Sequence, residues 1–218
     1  MGRETLTSER VLVTIFLRVF VAAALFSASG CAPGLGTTFD VSTVETVSVS
    51  SGRALTGVRV KYETFTDDRT DKTAAVIDGR RIEPEQDTAA AAQRIVEAQF
   101  RESGIRRGLF EGTIVRGSLL EWRIDITPGF PSTTMRAVAK IRLEIMPSAE
   151  SPTSATPVYS ARYSGIVEEK HPIGSTERIQ RAFARALAEA AAEALQDERF
   201  VKEMQGRSTG SAPQFPQR

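Results

Sequence analysis

The sequence predicts an α+β domain of two layers, a small antiparallel sheet with two helices packed on one face. Two patterns indicate this fold. Three segments in the second half of the chain alternate apolar and polar residues with a period of two, which is typical of strands with one buried face. Two longer segments repeat apolar residues at helical spacing. The predicted order is strand, helix, strand, strand, strand, helix.

The first predicted strand begins after Gly57, where Val58, Val60 and Tyr62 alternate with charged residues. It ends in a polar turn over residues 66–72. Residues 75–82 are compatible with another short strand around Asp78-Gly79, a dipeptide that is typical of hairpin turns.

The first helix is predicted from a cap at Asp87 or Thr88 to about Ser103. Gly104 followed by Ile105 is typical of a left-handed helix end with its hydrophobic contact. The residues on the predicted buried side are Ala92, Ile95, Val96, Gln99 and Phe100.

The three strands that follow are joined by loops at residues 127–133 and 147–157, both rich in turn-forming residues. Their alternating sets are Leu120, Trp122, Ile124 and Ile126, then Ala137, Ala139, Ile141, Leu143 and Ile145, then Tyr159, Ala161 and Tyr163. The second helix begins at about Ser175, and its apolar stripe consists of Ile179, Phe183, Leu187, Ala190, Ala194 and Leu195. A short extension follows at residues 197–204.

The charge balance argues against a nucleic-acid-binding protein. The chain has 28 Lys and Arg residues and 27 Asp and Glu residues, and removing residues 1–30 leaves 25 of each. A neutral chain lacks the positive field that binding to nucleic acid requires.

The N-terminus predicts export and lipidation. Residues 1–30 combine arginines, a short apolar stretch and small residues, as secretory signals do. The apolar stretch is interrupted by Arg18 and is shorter than the about 20 residues that span a bilayer. Ala28-Ser29-Gly30 directly before Cys31 resembles a lipobox, although the first position is usually Leu and here is Ala.

The only cysteine of the chain, Cys31, therefore receives a predicted function, lipid attachment. Its thiol would take a diacylglyceryl group and its amino group an acyl chain such as palmitate, and no other cofactor is predicted. Several acyl chains anchor firmly, since each buried CH₂ contributes roughly 0.8 kcal/mol. By resemblance to enterobacterial lipoproteins, Ala32 in place of Asp implies the periplasmic face of the outer membrane. An ordinary signal peptide with a coincidental cysteine is the alternative.

The predicted organisation is a signal peptide over 1–30, a lipidated N-terminus and tether over 31–56, one domain over 57–205 and a disordered tail over 206–218. No catalytic set or metal site is predicted, so we do not expect an enzyme. The single histidine, His171, has no cysteine partner for zinc, and the aspartate-rich turn lacks the glycine and glutamate of a calcium loop.

Two places carry unusual residues with no predicted packing function and are the candidate partner-binding sites. One is the turn that contains Asp68, Arg69 and Asp71, and the other is Phe130, which lies between Pro128-Gly129 and Pro131 at a hairpin tip. If neither binds a partner, the exposed face of the sheet around Lys140, Arg142 and Glu144 is the next candidate.

Several short motifs resemble the YajG-like lipoproteins, a poorly characterised family. They are Gly57-Val58-Arg59-Val60, Asp68-Arg69-Thr70-Asp71, Ser103-Gly104, Tyr159-Ser-Ala-Arg-Tyr163 and Leu195-Gln-Asp-Glu-Arg-Phe-Val-Lys-Glu-Met204. The resemblance extends from the signal segment to Met204 and implies an envelope lipoprotein rather than a reaction.

The predicted function is a non-enzymatic lipoprotein that binds another protein of the cell envelope. The alternative is a lipid- or peptidoglycan-binding module, such as an auxiliary lipoprotein of a lipid transport system. An apolar groove in the structure would favour the lipid- or peptidoglycan-binding module. A compact core with a flat exposed sheet face or edge would favour the protein-binding lipoprotein.

Overall fold

The computed structural model describes residues 38–48, 55–77, 79–84, 86–108, 113–129, 131–147, 156–171 and 176–208. The strands are β1 (Thr38–Phe39), β2 (Arg59–Tyr62), β3 (Thr66–Asp67), β4 (Ala75–Ile77), β5 (Arg80–Pro84), β6 (Arg106–Arg107), β7 (Thr113–Thr127), β8 (Thr133–Met146) and β9 (Tyr159–His171). The helices are α1 (Thr88–Glu102), α2 (Thr176–Gln196) and α3 (Glu198–Ser208). None of the helices in the described ranges has the length and apolar character needed to cross a bilayer.

Helix α1 has the ends that its sequence predicts. The carboxylate of Asp87 accepts hydrogen bonds from the backbone N–H groups of Ala89 (2.9 Å) and Ala90 (3.1 Å), which have no partner within the helix. At the other end Gly104 has a φ of 91°, and the N–H of Ile105 donates to the carbonyl of Phe100. This is the left-handed cap that a glycine at this position permits.

The centre of the sheet is a meander of three long strands. β7 pairs antiparallel with β8, and β8 pairs antiparallel with β9. The core-facing residues of β8 are Met135, Ala137, Ala139, Ile141, Leu143 and Ile145, all fully buried. A β-bulge between Leu119 and Glu121 turns both Leu120 and Glu121 away from the core, so Leu120 does not lie on the face predicted for it.

The predicted fold class is wrong: the sheet has more strands than predicted, and some of its strands pair in parallel. Strands β2 to β9 form one curled, mixed sheet of eight strands with three helices, and β1 joins it through β5. β2, β3 and β4 lie one after another along the same edge of β7 and run parallel to it. The period-two pattern predicts β2 but does not reveal the direction in which it pairs, and strands of two residues, such as β3 and β6, contain too little pattern to be found.

Helix α2 covers the middle of the sheet. The ring of Phe183 stacks on Trp122 with centroids 4.1 Å apart, and the Trp122 indole N–H donates to the Phe183 carbonyl at 2.9 Å. A Cβ atom added to Gly165 of β9 would lie 1.9 Å from the carbonyl oxygen of Ala186. The helix and the strand therefore approach closely because no side chain separates them.

The packed core includes residues before the predicted start of the domain, and the last helix continues past its predicted end at residue 205. Val41 and Leu55 are buried, and the side-chain amide of the buried Gln99 holds Val47 by accepting from its N–H and donating to its carbonyl, both at 2.8 Å. Helix α3 buries Phe200 and Met204 and continues to Ser208. The assignments of signal peptide and lipid site fall on residues outside the described ranges and stay predictions. The tail was predicted to begin at residue 206, but residues 206–208 belong to α3, and the rest of the predicted tail lies outside the described ranges.

Candidate functional site

The turn after β3 divides into a buried and an exposed part. Arg69 is only 4% exposed, and its guanidinium donates to the Asp67 carboxylate (2.9 Å), the Thr88 hydroxyl (2.9 Å) and the Trp122 carbonyl (3.2 Å). Asp68 and Asp71 are exposed. Partner binding at this turn stays a prediction; of its three predicted residues, Asp68 and Asp71 present their side chains to solvent and Arg69 does not.

The buried part of this turn holds the end of β3 against the start of α1. Asp67 accepts from the hydroxyl of Thr88 at 2.7 Å and from the ammonium of Lys72 at 3.1 Å. Burial raises the pKa of Asp67, but the hydrogen bonds from Arg69, Thr88 and Lys72 lower it more, so the pKa lies well below its usual range. Such a carboxylate stays ionised at neutral pH, and its hydrogen bonds stabilise the fold.

Two other predicted sites lie outside the described residues. These are Cys31, the predicted lipid attachment site, and Phe130, the predicted hairpin tip. His171 ends strand β9, with its ring nitrogens 2.7 Å from the Glu169 carboxylate and 2.9 Å from the Arg178 guanidinium. Within the described ranges no group of acidic, histidine or cysteine side chains is arranged to hold a metal ion.

A groove of about 650 Å³ lies between residues 45–48 and helix α2. Its walls are mostly polar, and half of the lining residues are charged: Arg181 pairs with Glu45 at 3.2 Å, and Arg185 pairs with Glu189 at 3.4 Å. Pockets for lipids and other small molecules are predominantly apolar, with few polar groups. The groove therefore does not have the character that the lipid-binding alternative requires.

The outer face of the sheet, the side of β7, β8 and β9 opposite α1 and α2, is the other candidate surface. Its side chains alternate with the core residues and form rows of charged groups across the three strands. The ion pairs of this face and its edge are Arg116–Glu63 (2.8 Å), Lys140–Glu121 (2.6 Å), Arg136–Glu168 (3.3 Å), Arg123–Asp125 (3.6 Å) and Arg123–Glu121 (3.7 Å).

One row of the outer face places two arginines together. Arg142 of β8 lies directly opposite Arg162 of β9 and beside Ser118 of β7. Arg162 is exposed and Arg142 half-buried. The sequence singled out Arg142 but missed Arg162, although both occupy polar positions of the alternating pattern. Only the register of β8 against β9 shows that they face each other.

The fold is shared with a protein of known structure. A crystal structure of a Xanthomonas campestris protein of the DUF330 family is similar with a TM-score of 0.52 at 13% identity, covering 78% of this chain and 99% of that one. At this identity the similarity shows the fold alone.

Two further solved structures are less similar. A protein described as a neuraminyllactose-binding hemagglutinin homolog from Helicobacter pylori has a TM-score of 0.37 at 10% identity, covering 74% of this chain and 96% of its own. A lipoprotein from Neisseria meningitidis has a TM-score of 0.22 at 10% identity, covering 56% and 90%. Scores below 0.5 do not establish a common fold.

No family model matches the sequence, and neither does any curated protein. The structural comparison therefore shows one thing, a fold shared with the DUF330 protein. The resemblance to the YajG-like family stays a prediction that rests on the motifs quoted above.

Proposed function

We propose that this chain is an envelope lipoprotein that is anchored through Cys31 and binds another envelope component without a catalytic step of its own. The observation that carries the binding function is the outer face of the sheet, a largely charged surface on the side away from the helices. A compact core with such a face is the arrangement that favours a protein-binding domain. The sequence before Cys31 supports the anchor, and Ala32 supports the outer membrane as its location.

A lipid- or peptidoglycan-binding module is the second reading. It would require an enclosed apolar site, and the groove beside α2 has mostly polar walls. No observation on the described residues favours this reading over the first.

The anchor is tested by replacing the lipidated residue. In cells fed radioactive palmitate, we expect the Cys31→Ser chain to carry no label and to accumulate at the size of the uncleaved precursor, because the hydroxyl of serine does not take the diacylglyceryl group. Ser27→Ala, a small change outside the lipobox, is the matched control and is expected to keep the label and the cleavage. Normal labelling of the Cys31→Ser chain would exclude the lipoprotein function.

A further inference from the structure

We propose that Arg142 and Arg162 form the docking point for paired carboxylates on an acidic protein partner. The inference deepens the proposed function and rests on it, since it names the chemistry of the envelope component that the domain would bind.

The two arginines differ from the others on the outer face. Arg116, Arg123 and Arg136 each have a carboxylate within 4 Å. Among the described residues, Arg142 and Arg162 have neither an ion pair nor a side-chain hydrogen bond, and they lie opposite each other in the register of β8 and β9. The sheet therefore presents two unpaired guanidinium groups side by side.

This pairing is unfavourable unless an anion is added. Side chains directly opposite on neighbouring strands have Cβ atoms about 4.5–5.5 Å apart, and like charges at such positions destabilise the sheet. A carboxylate placed between the two groups would remove the repulsion. Such a carboxylate could also accept two parallel N–H hydrogen bonds from a guanidinium group, the bidentate geometry that arginine and carboxylate form.

The surroundings favour a protein over a membrane surface. Adhesion to anionic lipid depends on clustered positive charge, whereas Glu144 and Glu121 lie among the cations of this face. Ile166, four residues beyond Arg162 on β9, is 52% exposed, and the two side chains are roughly 13 Å apart along the strand. Arginine and exposed apolar side chains on one surface, within the span of an interface, are typical of protein–protein contacts.

The test uses photocrosslinking of the full-length chain in its own membrane. A photoreactive phenylalanine analogue is placed at Ser164, which is exposed on β9 between Arg162 and Ile166, and separately at Glu177, which is exposed on α2. We expect a protein adduct from position 164, with aspartate or glutamate residues clustered at the crosslinked peptide of the partner.

The adduct should depend on the two arginines. We expect its yield to fall at least tenfold in the Arg142→Gln/Arg162→Gln chain and to stay unchanged in Arg181→Gln/Arg185→Gln, which removes the same charge from the helical layer. Lysines in place of the partner's carboxylates should restore the adduct of an Arg142→Glu/Arg162→Glu chain.

Stability gives a second readout. Removing a like-charge pair should leave the melting temperature of the Arg142→Gln/Arg162→Gln chain unchanged or raised, and a lowered value would assign the arginines to the fold and overturn the inference. A lipid adduct at position 164, or a protein adduct that does not depend on the arginines, would also overturn it. Adducts from position 177 alone would overturn this inference but keep the proposed function. The absence of adducts from both positions, 164 and 177, would contradict this inference and the proposed function alike.

Discussion

At the scale of single residues, one carboxylate connects a strand to a helix. Asp67 lies at the end of β3 and accepts hydrogen bonds from Arg69 next to it and from Thr88 at the start of α1. The side chain of Arg69 is buried, and the carboxylate that compensates its charge is Asp67, while the Trp122 carbonyl accepts a further hydrogen bond from it. Breaking a buried pair on one side leaves an uncompensated charge, which is strongly destabilising.

This contact predicts a stability that falls in acid. The pKa of Asp67 is lower in the folded chain than in the unfolded chain, so its contribution is present above the unfolded value near 3.9 and is lost as the pH falls towards the folded value. We expect the free energy of unfolding to decrease from about pH 5 to pH 2, and Asp67→Asn to flatten this decrease. Urea unfolding at a series of pH values measures it.

Asp68→Asn is the control for this prediction, because Asp68 is the exposed neighbour of the same type. It should keep the decrease of the parent chain. An Asp67→Asn chain that loses stability in acid as steeply as the parent would show that the contact contributes little.

At the scale of elements, the contact between α2 and β9 depends on a residue without a side chain. A Cβ atom at Gly165 would lie 1.9 Å from the Ala186 carbonyl oxygen and 2.7 Å from the backbone nitrogen of Ala190. Since both atoms belong to the helix backbone, the whole helix would have to move. We expect Gly165→Ala to lower the free energy of unfolding by about 1–3 kcal/mol or more, as other overpacked cores do.

The matched control is the same exchange at Gly206 of α3, where an added Cβ meets nothing within 4 Å. There alanine should raise the stability by about 0.5–1 kcal/mol, because it favours the helix. Denaturant unfolding of the two variants measures the difference. Equal effects would mean that α2 does not cross β9 as closely as described.

Sequence reasoning succeeds for elements whose signals are local. The bounds of α1 follow from a capping aspartate and a left-handed glycine, and the buried stripe of α2 follows from its spacing. For β4 and β5, which pair as a hairpin around Gly79, the turn-forming dipeptide was recognised but a single short strand was predicted. The sequence predicted β2 and missed β3 and β6, and it did not show that β2, β3 and β4 pair with β7, because that pairing depends on a distant partner. Arg69 was assigned to a surface turn for the same reason, since the sequence does not show that Thr88 lies next to it.

At the scale of the whole molecule, the C-terminal helix belongs to the core. Phe200 and Met204 are fully buried, and the carbonyl of Met204 accepts from the hydroxyl of Thr113 at 2.9 Å. The Asp197 carboxylate joins α3 to the sheet by accepting from the hydroxyl groups of Tyr159 and Tyr163. The helix therefore closes one end of the domain.

A chain that ends at Gln196 should consequently be much less stable. The loss of a single buried phenylalanine costs about 3–5 kcal/mol, and this truncation removes further buried side chains as well. We expect its cooperative thermal transition to shift far downward or to disappear in a calorimetric scan. A chain that ends at Ser208 keeps every described residue and is expected to melt like the parent, so equal melting of all three would exclude α3 from the core.

The candidate site illustrates what a single sequence leaves open. Alternation along β8 and β9 is sufficient to place Arg142 and Arg162 on polar positions. Whether the two arginines lie opposite each other depends on the register of β8 against β9. A register shifted by two residues would keep every side chain on its face of the sheet but would separate the two charges. The loop over residues 147–157 contains no short turn motif that sets this register.

The three short strands along β7 also have a consequence for how the domain forms. β2, β3 and β4 are made before β7, yet β7 supplies their neighbour in the sheet, and α2 follows later still. Contacts between residues that are far apart in the sequence slow folding, and strands whose edges are still unpaired are prone to aggregate. A polypeptide delivered across a membrane with its N-terminus first, as the proposed lipoprotein would be, must keep these edges unpaired until β7 arrives. We therefore expect folding to follow transport and periplasmic chaperones to bind the first third of the chain.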